Sequence, residues 1–279
     1  MRLFICLSLL SLFHIGCGNK NASKPTGNPV TLAVNYSKGD SKKFQAKMDV
    51  VMEMNLAGQA VPVESNSVFN YTMTVDDKIN GGDYLMSFKY DRIQSRSGGM
   101  MEMKYDSNNP ESADSLLGIQ LSPLVNPVFS MKISKNGNTS ITGGTEGLPD
   151  LLKQQVEETM RSLSSASGYP GGAVDNGDSW QDTLTTQQGG VTVSVDTTYT
   201  LLDMSDGIAT IEVKGKMKGA MKGKVEGQTK IDIASGWLIE ANSITEAESS
   251  NESAGVSMKV EMNMTAKAVS YTHLTLPTK

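Results

Sequence analysis

The sequence predicts an α+β chain that is mostly β: a strongly curved antiparallel sheet, an incomplete barrel of long strands, with one main helix packed on its concave face. Three observations predict it. Apolar and polar residues alternate with period two over unusually long runs, Gly-Gly and Asp-Gly pairs separate many of these runs, and a sustained helical period occurs only once. A dry face and a wet face on each strand mark an antiparallel sheet with one buried side. Strands of such length twist and coil, so the sheet is expected to curl.

The first run places Phe44, Ala46, Met48, Val50, Met52, Met54 and Leu56 on one face, with Val51 alone out of step on the other. Those thirteen residues would extend about 43 Å, more than twice the usual strand length. After Gly58 the pattern repeats through Val61, Val63, Phe69, Tyr71, Met73 and Val75, so the two runs are expected to form a long hairpin. Gly81-Gly82 turns into Tyr84, Met86, Phe88 and Tyr90, and Gly98-Gly99 turns into Met101, Met103 and Tyr105, completing a four-stranded meander. Residues 109–126 are irregular, with a short helix near Ser115-Leu116-Leu117, before a fifth strand at Phe129, Met131 and Ile133.

The period then changes. Leu148, Leu152, Val156, Met160 and Leu163 fall at helical spacing, with Pro149 in the first turn. Residues 164–178 read as a loop between two halves. Strands resume at Trp180, continue through Val191–Leu201 and Ala209–Val213, and turn again near Gly236-Trp237. Val256, Met258, Val260, Met262, Met264, Ala266 and Ala268 close the domain.

The ends carry other information. Arg2 and the apolar run Leu3–Phe13 resemble a secretory signal, since eleven residues are too few to span a bilayer as a helix. Gly16-Cys17 resembles the lipobox at which bacterial lipoproteins are acylated and cut, which makes Cys17 the expected lipidation site. Two or three acyl chains hold a protein stably on a membrane where one does not. Gly18, rather than Asp, after the cysteine resembles lipoproteins passed to the outer membrane. The expected domains are a signal peptide at 1–16, an acylated cysteine and flexible tether at 17–29, and one β-rich domain at 30–268. Residues 269–279 (VSYTHLTLPTK) read as translated sequencing adapter.

Composition narrows the function. Both histidines, His14 and His273, lie outside the expected domain, and Cys17 is the only cysteine beyond the signal. Ser-His-Asp and Cys-His catalysis, His/Cys zinc sites and internal disulfides are therefore not expected. No Walker A, G-x-S-x-G or G-x-G-x-x-G pattern occurs. Paired-carboxylate glycoside chemistry needs only two acids, but aromatics make up 6% of the chain and no sugar-stacking cluster is evident. The expectation is a protein that is not an enzyme and has no cofactor and no metal. A formal net charge of −5 is too mild to point to nucleic acid.

Three features are candidates for function. The chain has 17 methionines, most at inward-facing strand positions. Met48, Met52, Met54, Met73, Met86, Met258, Met262 and Met264 are the candidate lining of a soft cavity for an apolar or lipid ligand, because Met repacks at little cost. The same thioethers suit Cu(I) capture, or serve simply as core filler. Second, Lys214, Lys216, Lys218, Lys222 and Lys224 read as a stripe on one strand face. It would meet anionic head groups, or protect an edge strand with Glu240, Glu246 and Glu248 opposite across a hairpin. Third, the oxygens of Asp175-Asn176-Gly177-Asp178 and Asp182 suit either a Ca²⁺ site or a turn, and their spacing does not match an EF-hand.

Together the Gly16-Cys17 start, Lys47-Met48-Asp49-Val50, Tyr90-Asp91-Arg92-Ile93 and Gly177-Asp178-Ser179-Trp180 resemble a family of Gram-negative lipoproteins of unknown function, over roughly residues 30–268. The resemblance implies a periplasm-facing envelope lipoprotein with no established activity. By architecture the expected sheet is similar to the periplasmic lipoprotein-carrier fold, whose concave face holds acyl chains; fold alone does not fix function. The expected partners are the membrane, through the anchor, and an apolar small molecule or lipid, with the protein a monomer. An envelope scaffold with a filled core is the alternative. A transmembrane barrel fits less well, because a lipid anchor would be redundant and aromatic girdles are missing.

Overall fold

The computed structural model describes residues 20–21, 29–56, 59–79, 81–99, 101–134, 137–150, 152–153, 156, 169–188, 191–251 and 256–269. The segment read as a signal peptide, Cys17, and residues 270–279 of the adapter-like tail lie outside the described residues.

The strands in chain order are β1 (Lys20–Asn21), β2 (Val30–Thr31), β3 (Ser41–Leu56), β4 (Gln59–Ile79), β5 (Asp83–Gly98), β6 (Met103–Asp106), β7 (Phe129–Ile133) and β8 (Thr139–Gly143). The second half adds β9 (Ala173–Val174), β10 (Ser179–Gln188), β11 (Val191–Ser205), β12 (Ile208–Gly219), β13 (Lys222–Asp232), β14 (Leu238–Asn251) and β15 (Val256–Val269). Strands β2 and β9 pair with each other. The other thirteen form one antiparallel sheet in the order β1-β10-β11-β12-β13-β14-β15-β3-β4-β5-β7-β8, with β6 beside β5. The sheet does not close into a barrel. The last strand joins the two halves, because β15 pairs with β3 so that Met264 faces Met48 and Val260 faces Met52.

The alternation predicts the faces correctly. Along β3, Phe44, Ala46, Met48, Val50, Met52 and Met54 are buried, whereas Val51 is 53% exposed. With each strand rotated about 20–25° from its neighbour, a sheet of this width curls. Glycines sharpen the curl between β13 and β14: a Cβ on Gly223 or Gly227 would lie 2.1 Å or 2.3 Å from a backbone carbonyl of β14. Glycine in a strand interior marks this kind of close backbone approach.

The main core is aromatic and sits at one end of the curl. Phe88 is fully buried, stacks on Tyr71 at 4.9 Å and meets Tyr90 edge-on at 4.8 Å. Leu201, Ile211 and Ile231 from the second half join the same cluster, so both wings of the sheet bury one face together. Residues 32–36, which carried no expected element, close this end: Leu32, Val34 and Tyr36 are buried, and Tyr36 stacks on Trp237 at 4.2 Å. Burying each such side chain contributes about 1.5–3 kcal/mol.

The short helix near Ser115 is α1 (Leu116–Leu121), and Ser115 Oγ accepts a hydrogen bond from the Gly118 amide at 2.9 Å as its N-cap. Of the expected main helix, Leu148 and Pro149 are described and precede the helical backbone instead of lying in it; Asp150, Leu152, Lys153 and Val156 are the other described residues. These four are helical, and Val156 packs into the aromatic core. The rest of Leu148–Leu163 lies outside the described residues.

Several expectations are corrected. Met101 precedes β6 instead of lying in it and is 65% exposed, because β6 begins only at Met103. Strand β8 was not expected. Within the segment read as a tether, Lys20 and Asn21 pair with Trp180 and Ser179. The lysine stripe spans two strands, with Lys214, Lys216 and Lys218 on β12 and Lys222 and Lys224 on β13, since the chain turns between Gly219 and Lys222. Neither is an edge strand, because β12 lies between β11 and β13, and β13 between β12 and β14.

Candidate functional site

The inner face is ordered in rows, because antiparallel register places equivalent positions side by side across the sheet. One row reads Leu201, Ile211, Thr229, Ala241, Ala266, Ala46, Phe69 and Ile93, and is nearly all apolar. Three rows further along, Leu184, Val195, Met217, Gly223, Ala247, Val260, Met52 and Val63 are again apolar. The two rows between differ. The first carries Trp180, Tyr199, Ser243, Ser67 and Ser95, and the second Asp182, Thr197, Thr245, Ser65 and Ser97. Methionines and valines, including Met48, Met262, Met264 and Val50, fill other places in these rows.

A polar belt therefore crosses the inner face. Its hydroxyl residues are buried, down to 0% exposure at Thr245. Ser67 and Ser95 satisfy each other across the β4–β5 pair at 2.9 Å. Ser243 Oγ, Thr245 Oγ1 and Trp180 Nε1 are buried and have no hydrogen-bond partner among the described residues. Burial pushes the Asp182 carboxyl above its ordinary range, against an opposing hydrogen bond from the Thr183 backbone. Burial likewise pushes the Tyr199 hydroxyl up. The belt also divides the apolar face. The aromatic core lies mainly on one side and takes in Trp180 and Tyr199 of the belt itself; the other apolar clusters are Met52, Met54, Val63 and Val260, joined by Met48, Val50 and Met262 within the belt rows, and then Val193, Val195, Met217 and Ala247.

The candidate methionines are thus only partly brought together. Met48, Met52, Met54 and Met262 form one cluster, with Met258 packed against it. Met264 is buried in register with Met48. Met73 and Met86 belong to the aromatic core at the other end. The belt hydroxyls carried no expectation, although their signal was in the sequence: Ser65 and Ser67 are in phase with Val63 and Phe69, and Ser243 and Thr245 with Ala241 and Ala247.

On the outer face the five lysines do share one side, and two of the three glutamates expected opposite them are there, while Glu240 faces Lys230, outside the stripe. Lys222 faces Glu248, Lys224 faces Glu246 and Lys230 faces Glu240. Lys224 Nζ lies 3.3 Å from Glu246, and the hydrogen bond to that carboxylate is the main cause raising its pKa. Lys218 pairs with Asp196 and Lys214 with Glu212. A groove of about 510 Å³ runs over this surface, lined by Val51, Glu53, Lys222, Lys224, Glu246, Glu248, Lys259 and Glu261.

Asp175–Asp178 is a turn. The Asp178 amide donates to Asp175 O at 3.0 Å, the Asp175 amide donates to Asp178 Oδ2 at 2.9 Å, and Gly177 takes a φ of 87°. Among the described residues no three of His, Cys, Asp and Glu gather as a metal-holding group.

These features define an open, curled antiparallel sheet whose buried face is apolar at both ends and polar across its middle. Residues 149–238 match the model of a family of unknown function, DUF6263. No curated protein matches the chain. Among solved structures, one described as "Lipid-protein interactions in lipovitellin" is similar with a TM-score of 0.54 at 10% identity, covering 88% of this chain and 26% of that one. The chain thus spans about a quarter of the lipovitellin chain, and the likeness is one of fold. Weaker likenesses are to the translocator domain of the autotransporter NalP from Neisseria meningitidis (TM-score 0.35, 6% identity, 83% of this chain and 89% of that one). A lipoprotein-sorting protein domain from Vibrio parahaemolyticus matches more weakly still (TM-score 0.15, 10% identity, 83% and 86%).

Proposed function

We propose that this protein is a non-catalytic envelope lipoprotein, anchored through Cys17, that binds an apolar ligand on the inner face of its sheet. One observation carries the reading. The methionine wall of Met48, Met52, Met54 and Met262 is a cluster of its own, set apart from the aromatic core that stabilises the fold. Polarisable, unbranched side chains repack around ligands of differing shape. The fold likeness to a structure described by its lipid–protein interactions supports the same reading.

The test is titration of the Cys17→Ser chain, purified without lipid, with the neutral fluorophore N-phenyl-1-naphthylamine. The expected result is saturable binding near one site per chain, weakened by Met52→Ser. Emission that rises linearly without saturation would remove the reading. Intact mass of the wild-type protein from membranes should show a diacylated or triacylated chain beginning at Cys17.

A second reading, an envelope scaffold with a filled core, is favoured by the low exposure of the same wall, 1% at Met52 and 0% at Met262. Under it the fluorophore does not bind, and the partner is another protein.

A further inference from the structure

The belt tells more than the methionines do about what enters the sheet. A buried hydroxyl or indole N–H without a hydrogen bond costs about 1–3 kcal/mol, and native structures keep few of them. Two of them, Ser243 and Thr245, are neighbours on β14; a third, Trp180, shares the Ser243 row but stands on β10, four strands away. Ser243 and Thr245 are two positions apart on β14, about 7 Å along the strand. Both stand beside the methionine wall, since Thr245 faces Met262 and Ser243 faces Met264 across the β14–β15 pair.

We propose that this belt receives the polar end of an amphiphile, a single acyl chain with an uncharged head rich in hydroxyl or amide groups, while the chain lies along Met48–Met54. This rests on the apolar-ligand reading and names the class of ligand for it. The chemistry of the belt selects the head. Hydroxyls both donate and accept, so a head that does both satisfies Ser243 and Thr245 together. Neither row contains Lys or Arg at a described position, so nothing there neutralises a carboxylate or phosphate. The carboxyl in these rows, Asp182, stands four strands away on β10 with its pKa raised by burial, so the belt offers an anionic head no counter-charge.

The experiment is displacement of bound N-phenyl-1-naphthylamine from the full Cys17→Ser chain by 1-monooleoylglycerol, oleate and 1-octadecene, which share an apolar tail and differ at the head. Monooleoylglycerol should displace the probe at about tenfold lower concentration than 1-octadecene, the gain expected from one or two net hydrogen bonds. Oleate should be no better than the hydrocarbon. Thr245→Val with Ser243→Ala should erase the preference for monooleoylglycerol, leave 1-octadecene unchanged, and raise thermal stability by removing unsatisfied buried groups. Equal displacement by all three tails, preference for oleate, or a preference untouched by the double variant would each overturn the proposal while leaving apolar binding intact. Failure of the probe to bind at all overturns both.

Discussion

Replacing Gly227 with alanine tests how the sheet acquires its curl. The added Cβ would lie 2.3 Å from Asn242 O and 2.9 Å from Ser243 Cβ. A carbon and a carbonyl oxygen normally rest about 3.3 Å apart, so β14 must retreat by about 1 Å at the middle of the bend. Forcing a methyl into a packed site costs about 1–3 kcal/mol. Gly98→Ala in β5 is the matched control. Neither glycine needs a left-handed backbone, and the nearest atom to a Cβ at Gly98 is Glu64 O at 3.9 Å. Both substitutions restrict the unfolded chain equally, a gain of about 0.4–1 kcal/mol, so their difference isolates the collision. Urea denaturation should separate the two variants by about 2 kcal/mol, with Gly98→Ala the more stable. For a domain of this size that gap is about 4–8 °C in Tm. If the two unfold within about 0.5 kcal/mol of each other, the close β13–β14 approach does not shape the sheet.

Other consequences follow from single contacts. Tyr169 Oη donates a buried hydrogen bond to Gly236 O at 2.6 Å, so Tyr169→Phe should cost about 1–2 kcal/mol in urea denaturation; an unchanged midpoint would mean that the contact contributes nothing. Arg92 grips Asp106 through two hydrogen bonds of 3.0 Å and 2.6 Å, and this grip lowers the Asp106 pKa. Because the folded pKa is the lower one, the pair stabilises above the ordinary carboxylate range and is lost as pH falls through that range. Asp106→Asn should therefore cost under about 1 kcal/mol near neutrality, as expected for a part-exposed pair, and lose its effect once acid has protonated Asp106 in the folded chain. A difference that persists in acid would point to another cause. Changing Lys214, Lys216, Lys218, Lys222 and Lys224 to glutamine should lower sedimentation with phosphatidylglycerol vesicles at low salt, as should about 0.5 M salt with the wild type. Unchanged sedimentation would show that the opposing glutamates already neutralise the stripe.

Two-residue periodicity by itself determined most of the long strands, their buried sides and the antiparallel class, but not β8 or the turn that splits the lysine stripe between β12 and β13. A residue's side of a strand is a local property of extended backbone, and the inward run Phe44–Met54 is legible without neighbours. Glu246 and Glu248 opposite Lys224 and Lys222 were legible for the same reason, whereas Glu240 pairs with Lys230 instead of a stripe lysine. Only the tertiary structure decided which strands lie side by side far along the chain. The β15–β3 pair joins residues some two hundred positions apart, and no local pattern encodes such a contact. That pairing aligns Thr245 with Ser65 and Ser97 through Met262 and Val50 in a single row. Read singly, each serine or threonine is only a small polar residue in phase with apolar neighbours. Register across the curled sheet turns them into a buried belt, because hydrogen-bonding need becomes evident only when the groups around each hydroxyl are known.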